Sequence, residues 1–274
     1  MTRKTRNSEE PTKLTPDAPR VPRGLARLID GAMACHDVTM SSVAEDLALD
    51  EAMLLWAEEG RSPPLLRFWE ARDYAVVLGA SRRLRDDVLV DACRADGVPV
   101  LRRSSGGGSV VVGPGALNVT AILPEAAAPG LSAVDLAQRY VLERIAASIR
   151  RTGPPVAVMG HGDLTLGDRK CGGSAQRRLK HWFLVHCSIL YHFAIERIAR
   201  YLTIPARQPA YRQGRGHADF LMNLELSRQA LVEALRPESS PGSDTSPELA
   251  GAFELLPALM AEKYANPAWI ERFL

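Results

Sequence analysis

The sequence predicts an α+β fold, a mainly antiparallel sheet flanked by helices, and three observations carry that reading. Short apolar runs bounded by turn residues come in clusters and do not alternate one by one with helices. Two longer stretches, residues 42–59 and 136–150, repeat their apolar residues at helical spacing. The glycine run at 106–108 lies between two strand-like segments instead of opening a helix.

The chain has 274 residues, 46% apolar and 24% charged, enough for one large core. Its 34 basic residues are interleaved with 32 acidic ones, for a net charge of +2. No global field therefore steers the protein to nucleic acid or to a membrane, and anion binding must come from local basic groups. Cys35, Cys93, Cys171 and Cys187 are scattered without a CxxC pair, which argues against disulfides and structural zinc and fits a reducing compartment. No apolar run approaches the roughly 18 residues of a membrane span, and the first residues lack an apolar signal core, so a cytoplasmic, unanchored protein is expected.

Residues 1–20 carry almost nothing to bury and read as a disordered tail. Residues 42–59 read as an amphipathic helix, with Val43, Leu47, Ala48, Ala52, Leu54 and Leu55 on one side and acids between them, ended by Gly60. Residues 65–69 and 75–78 read as two strands paired across a turn at 71–73. Residues 86–96 return to helical spacing, with Val88, Leu89, Ala92 and Cys93 on one side. Strands follow at 98–102, 110–112 and 117–123, then a helix over 136–150 that buries Leu136, Tyr140, Ile145 and Ile149. Three more strands are expected at 163–166, 171–176 and 183–191, and helices at 196–202, 226–235 and 249–264. Ser, Pro, Gly and Asp dominate 237–248, which reads as a flexible linker. The organisation is thus a tail over 1–20, a main domain over 21–236, a linker over 237–248 and a helical segment over 249–274.

Two segments carry chemistry. In Arg102-Arg103-Ser104-Ser105-Gly106-Gly107-Gly108-Ser109-Val110, three missing Cβ atoms let backbone approach a ligand while its N–H groups face negative oxygens. Two arginines before the loop offer planar donor forks to phosphate or carboxylate. A plain hairpin connection is the alternative. GxxxxGK[ST] is absent, and the strand-to-strand setting excludes a dinucleotide fingerprint. In Gly167-Asp168-Arg169-Lys170-Cys171-Gly172-Gly173-Ser174-Ala175-Gln176, one ammonium beside a Gly-Gly-Ser strand can stabilise negative charge as a carboxylate and a phosphate react. A solvated hairpin lysine is the alternative there.

Residues 102–111 resemble the Arg-Arg-x-Ser-Gly-Gly-Gly segment of lipoate-protein ligases, and residues 168–175 are similar to their Arg-Lys-x-x-Gly-Ser-Ala segment. Two matches in the family's order, about 60 residues apart, are far more specific than either alone, and weaker matches extend the likeness over residues 42–269. The resemblance, to the lipoate-protein ligase A and octanoyltransferase family, implies a fold shared with biotin-protein ligases and a lipoate ligase-like catalytic domain over 21–236. It implies Lys170 as the catalytic residue, at the acyl carboxyl group and, in ligases, at the adenylate phosphate. Arg102 or Arg103 would meet the phosphate. Ser105, Gly106, Gly107, Gly108, Ser109, Val110 and Val111, with Gly173, Ser174 and Ala175, would line the acyl and nucleotide pocket. Asn118 would anchor a nearby strand turn, His186 would stand at the wall, and Asp163 would hold Mg²⁺ or the nucleotide, although the family usually has Asn-Asp where this chain has Gly162-Asp163.

Two branches of that family make different demands. A ligase joins lipoate to ATP as an acyl-adenylate and passes the acyl group to a lysine. An octanoyltransferase takes it from an acyl carrier protein, usually through a cysteine thioester. Here no cysteine lies between Pro154 and Arg169, and 183–185, before His186, hold none. Cys171 neighbours Lys170, but strand neighbours point to opposite faces, and Cys187 sits in an apolar run. ATP-dependent ligation is therefore the leading expectation, with ATP, Mg²⁺ and lipoate as reactants. The acceptors would be lipoyl domains of 2-oxoacid dehydrogenases or the glycine cleavage H protein, and a ligase of this kind would act either with a separate accessory ligase subunit or unaided. Acyl transfer from a carrier protein, biotin ligation and a non-catalytic lipoyl-binding module are the alternatives.

Overall fold

Ser42 starts the first helix, α1 (Val43–Glu58), through a capping box: Glu45 N donates to Ser42 Oγ at 3.3 Å, and Ser42 N donates to the Glu45 carboxylate at 3.1 Å. The helix is not amphipathic as expected, because Asp46, Asp50 and Glu51 are as buried as its leucines. Each acid has a cation. Arg67, itself fully buried, donates Nη1 to Asp50 at 2.7 Å and Nη2 to Asp46; Glu51 meets Arg177 at 2.7 Å and Lys263 at 2.5 Å. Such a pairing is what a buried carboxylate requires.

In this computed structural model residues 33–127, 130–237 and 247–274 are described. The expected tail at 1–20 and residues 238–246 of the expected linker lie outside them. The main sheet has seven strands in the order β1 (Ala34–Asp37), β2 (Leu65–Trp69), β6 (Ala116–Pro124), β10 (Trp182–Leu190), β9 (Arg169–Arg178), β8 (Asp163–Leu166) and β7 (Ala157–Met159). Only β1 and β2 run parallel. A smaller sheet orders β4 (Val100–Arg102), β3 (Ala75–Leu78) and β5 (Val110–Val112), with β3 and β4 parallel.

The expected pairing of 65–69 with 75–78 is corrected: β2 and β3 belong to different sheets. Long-range partners outcompete the short turn, since β2 finds β1 and β6 while β3 finds β4 and β5. The expected helix over 86–96 is also broken. α2 (Leu84–Asp87) ends at Val88, which is extended and bridges to Leu202, and α3 (Val90–Ala95) follows; Leu89 between them is exposed.

α4 (Val134–Arg150) and α7 (Arg228–Leu235) cover one face of the main sheet over a core that includes Phe68, Tyr140, Ile149 and Phe183. α1 and α8 (Pro247–Leu259) contribute to a second core with Leu65, Trp69 and Leu184. Helix α8 begins two residues inside the expected linker. It packs closely on α1, where a Cβ on Gly251 would fall 2.2 Å from the Trp56 ring. A π-helical turn (Met260–Tyr264) then sends both Lys263 and Tyr264 onto Glu51, and α9 (Pro267–Ile270) follows. The third core lies under the small sheet with α5 (Glu196–Tyr201) and α6 (His217–Phe220). Among the described residues no helix is long and apolar enough to cross a membrane.

Candidate active site

A cavity of about 550 Å³ is lined by both sheets and by the segment after β10. Its apolar walls are Leu47, Trp69, Val77 and Val112 on one side and Leu190, Ile198, Leu202 and Phe220 on another. Polar groups come from the glycine loop, β8, β9, β10 and residues 203–217.

The loop is built from β3 and β4 outward. A Cβ on Gly79 would lie 2.1 Å from Gly107 O, so the loop rests directly on backbone, and Gly107 takes φ +86° to fold there. Arg103 threads beneath it, donating Nη2 to Gly106 O at 2.5 Å and to Gly108 O at 2.7 Å, and Nε to Ser105 Oγ at 2.9 Å. Burial pushes this guanidinium down to about 10, yet it stays charged at neutral pH. Among the described residues no carboxylate forms an ion pair with it, and only the Coulomb field of Asp87 opposes its desolvation, so the cavity wall holds a buried positive charge suited to an anionic ligand.

Three residues expected at the ligand stand elsewhere. Consecutive strand residues face opposite ways, so Arg102 turns from the cavity and donates to Gly79 O, Arg82 O and Ile270 O at 2.7–3.0 Å. Ser105 is buried behind the loop, and Gly106 donates its N–H to Gln176 O at 3.2 Å. Gly107, Gly108, Ser109, Val110 and Val111 do line the cavity, as do Arg103, Asn118, Asp163, Lys170, Gly173, Ser174, Ala175 and His186.

Lys170 reaches the centre from β9, with its ammonium 2.6 Å from Asp163 Oδ1. The other oxygen of Asp163 accepts the Tyr211 hydroxyl at 2.6 Å. Each oxygen thus has one partner and keeps a further lone pair towards the cavity, so Asp163 joins the lysine to the tyrosine and retains acceptor capacity. The second carboxylate at the cavity, Asp87, is held by Arg82 and Ser109. Among the described residues no set of three His, Cys, Asp or Glu side chains is grouped to hold a metal.

Gly162 has a local reason. A Cβ there would meet Gln138 Nε2 at 2.4 Å, and that amide donates to Ser174 Oγ at 2.8 Å, while Ser174 Oγ donates to Gly162 O at 2.8 Å. An amide from α4 fills the space that a side chain at 162 would occupy.

His186 Nε2 lies 2.7 Å from Ser105 Oγ, and Nδ1 lies 3.8 Å from Asp50 Oδ2. Burial lowers its pKa and favours the neutral ring. Asn118 accepts from Ser188 Oγ at 2.6 Å at the cavity wall. All four cysteines are buried in the cores and none lines the cavity. Alternation along β9 sends Lys170 to the cavity and Cys171 to the core, where burial pushes the thiol up to about 12; Cys187 is pushed up by the same cause.

Sequence reasoning missed Tyr211, Arg82, Asp87, Arg207 and Arg212 at or beside the cavity. Arg212 opens one of the weaker family matches, residues 212–224, which was a usable signal; the others had none.

A buried guanidinium under a glycine loop and one lysine thus share an apolar-walled cavity between the two sheets of an α+β protein. The chain belongs to the lipoyl protein ligase A/B catalytic domain family, whose model matches residues 42–236. An octanoyltransferase LipM of Symbiobacterium thermophilum is 29% identical over 191 residues, covering 61% of this chain and 68% of that one. A protein of Aeropyrum pernix provisionally named lipoate-protein ligase A is 32% identical over 160 residues, 58% of each chain. Two solved structures share the fold. The bipartite lipoate protein ligase from Thermoplasma acidophilum, described with its E2 lipoyl domain, has a TM-score of 0.71 at 19% identity and covers 89% of this chain and 97% of that one. A lipoate-protein ligase A bound with ATP has a TM-score of 0.69 at 22% identity and covers 89% and 100%.

Proposed function

We propose that the protein activates lipoate with ATP to lipoyl-AMP and transfers the lipoyl group to a lysine of a lipoyl domain. The observation that carries this over a carrier-protein transferase is the set of four buried cysteines, none of them at the cavity. A thioester route needs a thiol beside the acyl group; mixed-anhydride formation needs positioned cations, and Lys170 and Arg103 supply them. In this reading the lipoate carboxylate oxygen attacks the α-phosphorus and pyrophosphate leaves. The acceptor amine then attacks the acyl carbon and AMP leaves. Lys170 neutralises the carboxylate and phosphate oxygens, and the apolar walls take the chain. Mg²⁺ would arrive with the nucleotide phosphates.

The acceptors in this reading are lipoyl domains of 2-oxoacid dehydrogenases or the glycine cleavage H protein, in the cytoplasm, with an accessory subunit as a further partner. Octanoyl transfer from a carrier protein is the second reading, because relatives named LipM match as well as those named ligases. Incubating the pure protein with ATP, Mg²⁺, lipoate and an apo lipoyl domain, and weighing the domain by mass spectrometry, separates the two. A lipoyl mass gain is expected. A gain only with octanoyl-carrier protein overturns ligation, and no gain with either leaves a binding module.

A further inference from the structure

Tyr211 lies on the segment after α5 that presents Pro205, Arg207, Pro209 and Arg212 to the cavity. Its hydroxyl is the donor to Asp163 Oδ2, while Asp163 Oδ1 holds the Lys170 ammonium. The same segment is stitched to the hairpin that carries the lysine. Arg215 donates to Asp168 Oδ2, Asp168 O and Tyr211 O, each at 2.9 Å, and Met222 N donates to Lys170 O at 2.9 Å.

We infer that Tyr211 is a positioning residue that fixes the Lys170 ammonium through Asp163, tying the cavity-mouth segment to the charge at its centre. An ammonium has three N–H donors. Asp163 takes one, which leaves the other two for an anionic head in the cavity that Lys170 lines. A carboxylate anchored at one oxygen swings about its terminal torsion; the tyrosine at the second oxygen stops that swing. Burial and the carboxylate both raise the Tyr211 pKa, so the hydroxyl remains a donor across the working pH range. The ring rests 5.2 Å from Phe220, and this packing survives loss of the hydroxyl. For the positioned lysine to matter in catalysis the inference rests on the proposed function; the positioning itself does not.

The experiment uses the full chain without substrates. Wild type, Tyr211→Phe, Asp163→Asn and the double variant are acetylated with an N-hydroxysuccinimide ester, and Lys170 modification is timed by peptide mass spectrometry against exposed Lys180. Tyr211→Phe should label Lys170 about threefold faster at an unchanged Lys180 rate, Asp163→Asn faster still, and the double variant no faster than Asp163→Asn. A Tyr211→Phe rate equal to wild type, or a double variant that exceeds Asp163→Asn, overturns the inference. In the acyl-transfer assay Tyr211→Phe should lower kcat about tenfold with KM for lipoate within twofold. If labelling behaves as expected and no acyl substrate is used, the proposed function falls while the positioning stands.

Discussion

The hydroxyl of Ser105 lies 2.7 Å from Nε2 of His186, and the same oxygen accepts Nε of Arg103 at 2.9 Å. A neutral imidazole with its proton on Nδ1, towards Asp50, accepts a hydrogen bond from the serine hydroxyl at Nε2 and leaves the serine lone pairs to the guanidinium. Ser105 is thus a link between a core histidine and the arginine under the glycine loop. Ser105→Ala should lower kcat/KM for lipoate about tenfold by loosening Arg103, and should lower stability by about 1–3 kcal/mol through the unpaired buried groups. Steady-state kinetics with a urea titration check both.

His186 also predicts a pH dependence. Burial lowers its pKa below the ordinary 6.5, so as pH falls through 6.5 the unfolded chain takes a proton that the folded state refuses, and stability contributed by the neutral ring is lost. Asp46, which burial pushes up to about 6, works in the opposite direction. It is common to wild type and His186→Gln and cancels in their difference. The stability advantage of wild type over His186→Gln should therefore shrink between pH 7.5 and pH 5.5. A gap that widens on acidification would contradict a neutral histidine.

The two carrying segments and every described strand except the edge strands β1 and β7 were legible, because periodicity and glycine punctuation are local, whereas those two short edge strands carry no pattern of their own. What was not legible is what depends on distant partners. Asp46, Asp50 and Glu51 sit at positions that look solvent-facing along α1, and only Arg67, Arg177 and Lys263, each brought in by tertiary structure, make their burial tolerable. Likewise, nothing in Arg102-Arg103 says which arginine faces the cavity until the register of β4 is known. Tyr211 reaches Asp163 across 48 positions of sequence.

Arg102 should behave as a structural brace. Its Nη1 donates to the carbonyls of Gly79 and Arg82, and Nε to Ile270, joining the 79–82 turn to the C-terminal helix. Arg102→Ala should cost about 2–4 kcal/mol, as expected for several charge-assisted hydrogen bonds, while Arg103→Ala should chiefly raise the KM for ATP or lipoate. A thermal melt beside substrate titrations separates them; a large KM effect for Arg102→Ala at unchanged melting temperature would return it to the ligand site.

The buried thiols make a simple contrast. Cys171 and Cys187, with pKa raised by burial, should resist Ellman's reagent in the folded protein at pH 7.5 and react after unfolding. Cys171→Ala and Cys187→Ala should each keep acyl transfer within about threefold of wild type, measured on the lipoyl domain, as core packing changes and not as losses of a nucleophile. Loss of all activity in one of them, with the melt preserved, would revive the thioester route.

Gly173 decides how tightly Lys170 is placed. A Cβ at 173 would lie 2.7 Å from Lys170 Nζ and 2.9 Å from its Cε, whereas a Cβ at Gly108 would meet nothing within 4 Å. Neither glycine has positive φ, so alanine adopts both backbones without strain and the difference is steric alone. The lysine tip is flexible and can move aside cheaply, which spares the fold but breaks the 2.6 Å contact with Asp163. Displacement of about 1 Å at a charge-stabilising group costs on the order of 100-fold in rate. Gly173→Ala should therefore approach Lys170→Ala in acyl transfer at a melting temperature near wild type, while Gly108→Ala keeps most of the activity. Equal activity in the two alanine variants would mean that the position of the Lys170 ammonium does not limit the reaction.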